Sequence, residues 1–105
     1  MDGNTTVKYL QSYIKEKDYH PELLKDYFMK LSEEVGELSR AMRKGLKASD
    51  NSDIEGTVDE ELWDVIYYAL AIANIYDIDI EQVAKIKSER SENKYPSKIK
   101  FESGR

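Results

Sequence analysis

Leu24, Phe28, Leu31, Val35, Leu38 and Met42 recur at alternating steps of four and three residues, and nothing else in the chain constrains its fold as strongly. An α-helix turns once every ~3.6 residues, so this spacing stacks all six side chains along one face. It predicts a helix from Pro21 to Lys44. Proline suits the first turn, where its missing N–H costs nothing. Gly45 can take the left-handed conformation that ends many helices. Gly36 interrupts the pattern at a cost of roughly 1 kcal/mol against alanine. Close helix packing accounts for it, and so does room for a ligand beside Glu37.

Three further helices are expected. One runs from Thr6 to Lys17, with Val7, Leu10, Ile14 and Tyr13 on one side and Thr5 or Thr6 as its cap. Thr57-Val58-Asp59-Glu60 has capping-box spacing and starts another that continues to Tyr76. Ser52-Asp53-Ile54-Glu55 is a rival start, and Gly56 favours the later one. Leu62, Val65, Ile66, Ala69, Leu70 and Ala73 cover this helix widely, so more than one neighbour should pack against it. Asp79-Ile80-Glu81-Gln82 opens a fourth helix bearing Ile80, Val83 and Ile86, and Tyr95-Pro96 should end it.

Residues 46–56 read as a loop, residues 97–105 as a flexible tail. No segment alternates apolar and polar residues for long. The fold class expected is therefore all-α: four helices with a central antiparallel pair, forming a single domain over residues 1–105. A chain of 105 residues supports only a small core, so apolar area left on its long helices would favour assembly into an oligomer.

Composition narrows the partners. Hydrophobic residues make up 40% and charged residues 35% of the chain, the balance of a globular protein. Net charge is -5 with no basic run, which argues against a nucleic acid polymer as partner. Cysteine is absent, excluding disulfides and thiolate chemistry. Asn74, Asp77 and Asp79 break the most apolar stretch, 65–80, well short of the ~20 residues that span a bilayer. The first residues lack the basic and apolar regions of a signal peptide. A cytoplasmic protein without a membrane segment is expected.

The chemistry lies in acidic spacing. Glu34 and Glu37 stand three residues apart, as do Glu61 and Asp64, and residues at that separation neighbour one another on a helix surface. If the central helices form an antiparallel hairpin, Glu34 falls opposite Asp64 and Glu37 opposite Glu61. A chain with 21 Asp and Glu residues will place some such pairs on its solvated surface. Here, however, Val35, Leu38, Leu62, Trp63, Val65 and Ile66 interleave with the acids and draw them toward the packing seam. Clustered carboxylates there repel unless they share protons or cations. Magnesium, a hard ion that bridges carboxylates to phosphates, answers that problem, with manganese able to substitute.

Glu33 and Glu60 adjoin the pairs; Glu33 either activates water or is a surface group, and Glu60 completes a cap. Lys87, Arg90 and Lys94 are candidates for a polyphosphate tail, or a solvated basic face. Tyr68, four residues after Asp64, aligns with the acidic face and is a substrate-binding candidate. Trp63 points elsewhere, toward core or interface. His20 alone beside Pro21 makes a zinc cluster unfavourable.

Leu31-Ser32-Glu33-Glu34-Val35-Gly36-Glu37-Leu38, followed after a loop by Glu60-Glu61-Leu62-Trp63-Asp64-Val65-Ile66-Tyr67-Tyr68, resembles the MazG-like nucleotide pyrophosphohydrolases of the all-alpha NTP pyrophosphatase group. The first segment is their Glu-Glu-x-x-Glu signature, the second their Glu-x-x-Asp signature. The likeness extends through the Ile78-Asp79-Ile80 turn to Tyr95-Pro96. It implies that Glu34, Glu37, Glu61 and Asp64 are magnesium ligands and, with Glu33, the catalytic set. It also implies cleavage of a nucleoside triphosphate between its alpha and beta phosphates, giving monophosphate and pyrophosphate. A homodimer or homotetramer is implied as well, with pockets formed across subunits. Phosphoribosyl-ATP pyrophosphohydrolases carry similar acidic motifs and leave a second substrate open. A helical oligomeric or regulatory module without catalysis is the nonenzymatic alternative.

Overall fold

The computed structural model describes residues 4–49 and 53–94. Helix α1 spans Val7–Lys17, α2 Leu24–Arg43, α3 Val58–Ile75 and α4 Ile80–Lys94, confirming the all-α class. The expected endings at Tyr95-Pro96 and 97–105, and the part of the loop at 50–52, lie outside the described residues.

Local chemistry sets the helix boundaries. The Thr6 hydroxyl caps α1 by accepting from the Tyr9 N–H at 3.0 Å. The helix expected from Pro21 opens instead with a 3-10 turn, Pro21–Leu23, before the α-helical hydrogen bonds begin. Gly45, with φ of 64°, closes α2: its N–H donates to the Met42 carbonyl at 3.1 Å and that of Leu46 to the Ala41 carbonyl at 3.0 Å. Thr57 caps α3 by accepting from the Glu60 N–H at 3.4 Å. The reciprocal arm reaches one residue beyond the cap, since Glu60 Oε1 accepts from Gly56 N–H at 2.9 Å. Asp79 caps α4 through the Gln82 N–H at 3.3 Å.

Helix α3 is the central element, packed against α2 on one side and α1 on the other, as its wide apolar coverage required. The core gathers Ile14, Leu70 and Ala71, with Leu10, Trp63, Tyr67 and Ile80 against it. A buried polar network ties α1 to the α3–α4 turn. The Gln11 side-chain amide donates to Asn74 Oδ1 and the Ile78 carbonyl. Its oxygen accepts from the Ile80 N–H, and Asn74 Nδ2 returns a bond to the Gln11 carbonyl.

The α2 seam differs from the predicted stripe. Leu24, Leu31 and Leu38 are half-buried as expected, but Tyr27, Glu34 and Ala41 complete the packed line, while Phe28, Val35 and Met42 stay 62%, 50% and 63% exposed. One neighbour, α3, covers only part of an apolar stripe this wide, and the covered part is rotated toward Glu34.

Candidate metal centre

That rotation builds the acidic site. Glu34 lies on the packed line between Leu31 and Leu38, so it points at α3. There Glu61 and Asp64 meet it, and one oxygen from each of the three carboxylates lies within 4.8 Å of the others. Glu61 is only 8% exposed, and its Oε2 is buried without a hydrogen-bond partner. Burial raises the Glu34 pKa above the ordinary carboxylate value, aided by the hydrogen bond and charge of Glu61 and by the charge of Glu37, while a hydrogen bond with Asp64 opposes the shift. Asp64 is also raised, first by burial and then by the charges of Glu34 and Glu60.

Three acids held this closely require a proton or a cation among them. The donor set is all carboxylate. His20 instead sits near Asp18 and Glu22, at 3.8 and 3.6 Å. Oxygen donors with one unpartnered buried oxygen suit a hard divalent ion, and the residues present fit one.

Glu34 meets Asp64 as the antiparallel register predicts and receives Glu61 as well, and Glu37 is not in the group of three held within 4.8 Å. Three residues advance a helix by about 300°, so Glu37 points some 60° away from Glu34. Glu37 is exposed, yet its charge still reaches Glu34. Glu33 is exposed on the same helix. Tyr68 is half-buried one turn past Asp64. Burial pushes its phenol up, Lys30 pulls it down, and Asp18, Glu34 and Asp64 push it further up, which places it in the electrostatic surroundings of the acids. Lys87, Arg90 and Lys94 are exposed on α4, whose main packing partner is α1. The described residues therefore do not gather these cations with the acids.

Sequence reasoning passed over Lys30, although it stands one turn before Glu34 on the same face. It also passed over Tyr27, which is 5% exposed and packs its ring 6.4 Å from that of Tyr68. Tyr27 occupies the packed line where the apolar pattern pointed to Phe28.

A profile of the MazG nucleotide pyrophosphohydrolase domain matches residues 22–98, a span that includes all three clustered acids. The chain belongs to this family. Two crystal structures of iMazG from Vibrio DAT 722 are similar to the MazG fold seen here. The Ctag form has a TM-score of 0.80 at 45% identity, covering 84% of this chain and 99% of its own. The Ntag form has a TM-score of 0.81 at 45% identity, covering 89% and 100%. No curated protein matches the chain. As a member of the MazG nucleotide pyrophosphohydrolase family, it carries between α2 and α3 an acidic cluster that could hold a metal ion. No helix among the described residues is long and apolar enough to cross a membrane.

Proposed function

We propose that the protein is a magnesium-dependent nucleoside triphosphate pyrophosphohydrolase that cuts between the alpha and beta phosphates, releasing nucleoside monophosphate and pyrophosphate. The observation that carries this reading is the convergence of Glu34, Glu61 and Asp64 around a buried, unpartnered Glu61 oxygen. Family membership supplies the nucleotide chemistry.

Glu34, Glu61 and Asp64 would hold magnesium, or manganese in its place, and Glu37 would add a carboxylate from the exposed side. Magnesium bound there would supply positive charge to offset the triphosphate, lower the pKa of a water and stabilise charge developing in transfer. The protein's own part is orientation and proton handling. Glu33, exposed on α2 and next to Glu34 in the chain, is the candidate to accept a proton from the attacking water. Tyr68, one helical turn past Asp64 and within reach of the charges of Glu34 and Asp64, would donate its hydroxyl to the substrate. Lys87, Arg90 and Lys94 would meet the phosphate tail by approach from another subunit, because α4 packs on α1 within the chain.

The assembly we infer is a homodimer or homotetramer. Phe28, Val35 and Met42 on α2 remain exposed, as do Leu62 and Ile66 on α3 and Tyr76 at its C-cap. Phe28 and Tyr76 share an open apolar groove with Leu24 and Ile72. Apolar area this extensive marks an association surface. We place the enzyme in the cytoplasm, acting on free nucleotides and not on nucleic acid polymers.

The test is a magnesium-dependent screen of canonical, deoxy and damaged nucleoside triphosphates with both products identified. Monophosphate plus pyrophosphate is expected. Diphosphate plus orthophosphate would overturn the bond assignment, and phosphoribosyl-ATP as the sole substrate would overturn the substrate class.

A further inference from the structure

Asp18, the residue that ends α1, precedes the span matched to the family and lies outside the acidic cluster. Both of its carboxylate oxygens are engaged by phenols. Tyr27 donates its hydroxyl to Oδ1 at 2.6 Å, and Tyr67 donates to Oδ2 at 3.0 Å. The Tyr27 oxygen also accepts from the His20 N–H at 3.1 Å, which fixes the phenol from a second direction. Burial and Asp18 push the Tyr67 phenol up to about 12 and Tyr27 in the same direction, so both remain protonated donors across the physiological range.

The two rings held in this way both bear on Tyr68. Tyr67 meets it edge-on, with centroids 5.2 Å apart and planes at 76°. Tyr27 meets it at 6.4 Å and 42°. A tyrosine side chain has few torsions, and two fixed rings against it leave little freedom for its hydroxyl end. The Tyr68 phenol responds to the charges of Asp18, Glu34 and Asp64 together. One carboxylate at the α1–α2 connection is thereby linked through two rings to Tyr68, which stands one helical turn past Asp64.

We infer that Asp18 is a positioning residue for the nucleotide site, holding Tyr27 and Tyr67 so that they fix Tyr68 against the part of the substrate adjoining the metal-bound phosphates. This rests on the reading of Tyr68 as a substrate contact. Asp18 touches neither metal nor substrate. Its effect is on substrate affinity and passes through Tyr68.

The experiment uses full-length protein carrying Asp18→Asn, Tyr68→Ala or both, with kcat and KM measured at saturating magnesium on a triphosphate that the unaltered enzyme hydrolyses. Asp18→Asn keeps the side chain's size but exchanges charge-assisted acceptors for a neutral amide. It should raise KM by about tenfold, the scale of one lost charge-assisted hydrogen bond, and change kcat much less. In the Tyr68→Ala background the same substitution should leave KM unchanged. Tyr27→Phe, which removes one phenol donor without altering charge, should shift KM in the same direction and replaces Asp18→Asn if that variant does not fold. Manganese binding to the nucleotide-free protein, read by magnetic resonance, should be the same in Asp18→Asn as in the parent. Equal KM effects with and without Tyr68, or no KM effect in a protein where Tyr68→Ala has one, would overturn the role of Asp18. An unaltered KM in Tyr68→Ala, or an enzyme inactive on every triphosphate, would overturn the reading beneath it.

Discussion

Glu61 is the residue at which function and stability pull in opposite directions. Its Oε2 is buried without a partner, and an ionised carboxylate in that state costs free energy unless something positive joins it. Glu61→Gln should therefore make the metal-free protein melt higher while reducing magnesium-dependent turnover by on the order of 10²-fold or more, since even outer-shell partners of a metal are worth 10–100-fold. Thermal melts without metal and turnover with it check the two halves, and a lower metal-free melting temperature would contradict the first. Glu37→Gln should weaken magnesium-dependent turnover with a smaller loss, because Glu37 is exposed and outside the tight group. At this scale the sequence was legible where spacing carried meaning: Glu34, Glu61 and Asp64 follow from helical register and apolar neighbours. Asp18 was not, because it lies where α1 ends and its two phenol partners come from different elements. No local pattern encodes such a convergence.

Helix α3 carries two of the three clustered acids, and Glu61 sits in its first turn, directly after the Thr57 cap. Thr57→Ala removes the hydroxyl that accepts the Glu60 N–H, at a cost of about 1 kcal/mol. The expected fall in melting temperature is about 4–8 °C for a domain of this size. Thr6→Ala removes the matching cap of α1 and should destabilise comparably. Only Thr57→Ala should also weaken magnesium binding, because only that cap holds a turn bearing a ligand; calorimetric titration of both variants distinguishes them. Capping residues were readable from the chain because they act over three or four positions. The α2 seam was only half readable. Apolar periodicity gives the direction of a stripe, but α3 covers one shoulder of it, leaving Phe28, Val35 and Met42 exposed and drawing Tyr27 and Glu34 inward. The Gln11–Asn74 network was hidden for a related reason, since its partners lie 63 residues apart.

For the molecule as a whole, the exposed apolar shoulder and the buried acids each predict a response to conditions. A charge at the shoulder, as in Val35→Glu, should shift the assembly toward monomer in light scattering and leave far-ultraviolet circular dichroism unchanged. The acids predict how stability follows pH. Glu34 and Asp64 both have folded-state pKa values raised first by burial, Glu34 further by the hydrogen bond and charge of Glu61 and Asp64 further by the charge of Glu34. The folded chain thus holds their protons more tightly than the unfolded chain does. Without metal, their contribution is neutral at acid pH, where both states are protonated, and becomes a penalty as pH rises from the ordinary carboxylate value of about 4 through the raised folded values. Asp59 works in the opposite sense: the Ala48 N–H and Lys47 hold its pKa low, so its contribution is lost as pH falls. Comparing the parent with Glu34→Gln/Asp64→Asn isolates the cluster, because Asp59 is common to both. The metal-free parent should lose stability relative to the variant as pH rises through that window. Magnesium should reverse the sign, because a divalent ion bound by the ionised acids would displace their protons. At a hundred times its dissociation constant it should stabilise the parent by about 2.7 kcal/mol, leave the variant nearly unchanged, and give a parent-minus-variant stability that climbs with pH. A difference that keeps the same slope with and without magnesium would mean that the three carboxylates share protons alone.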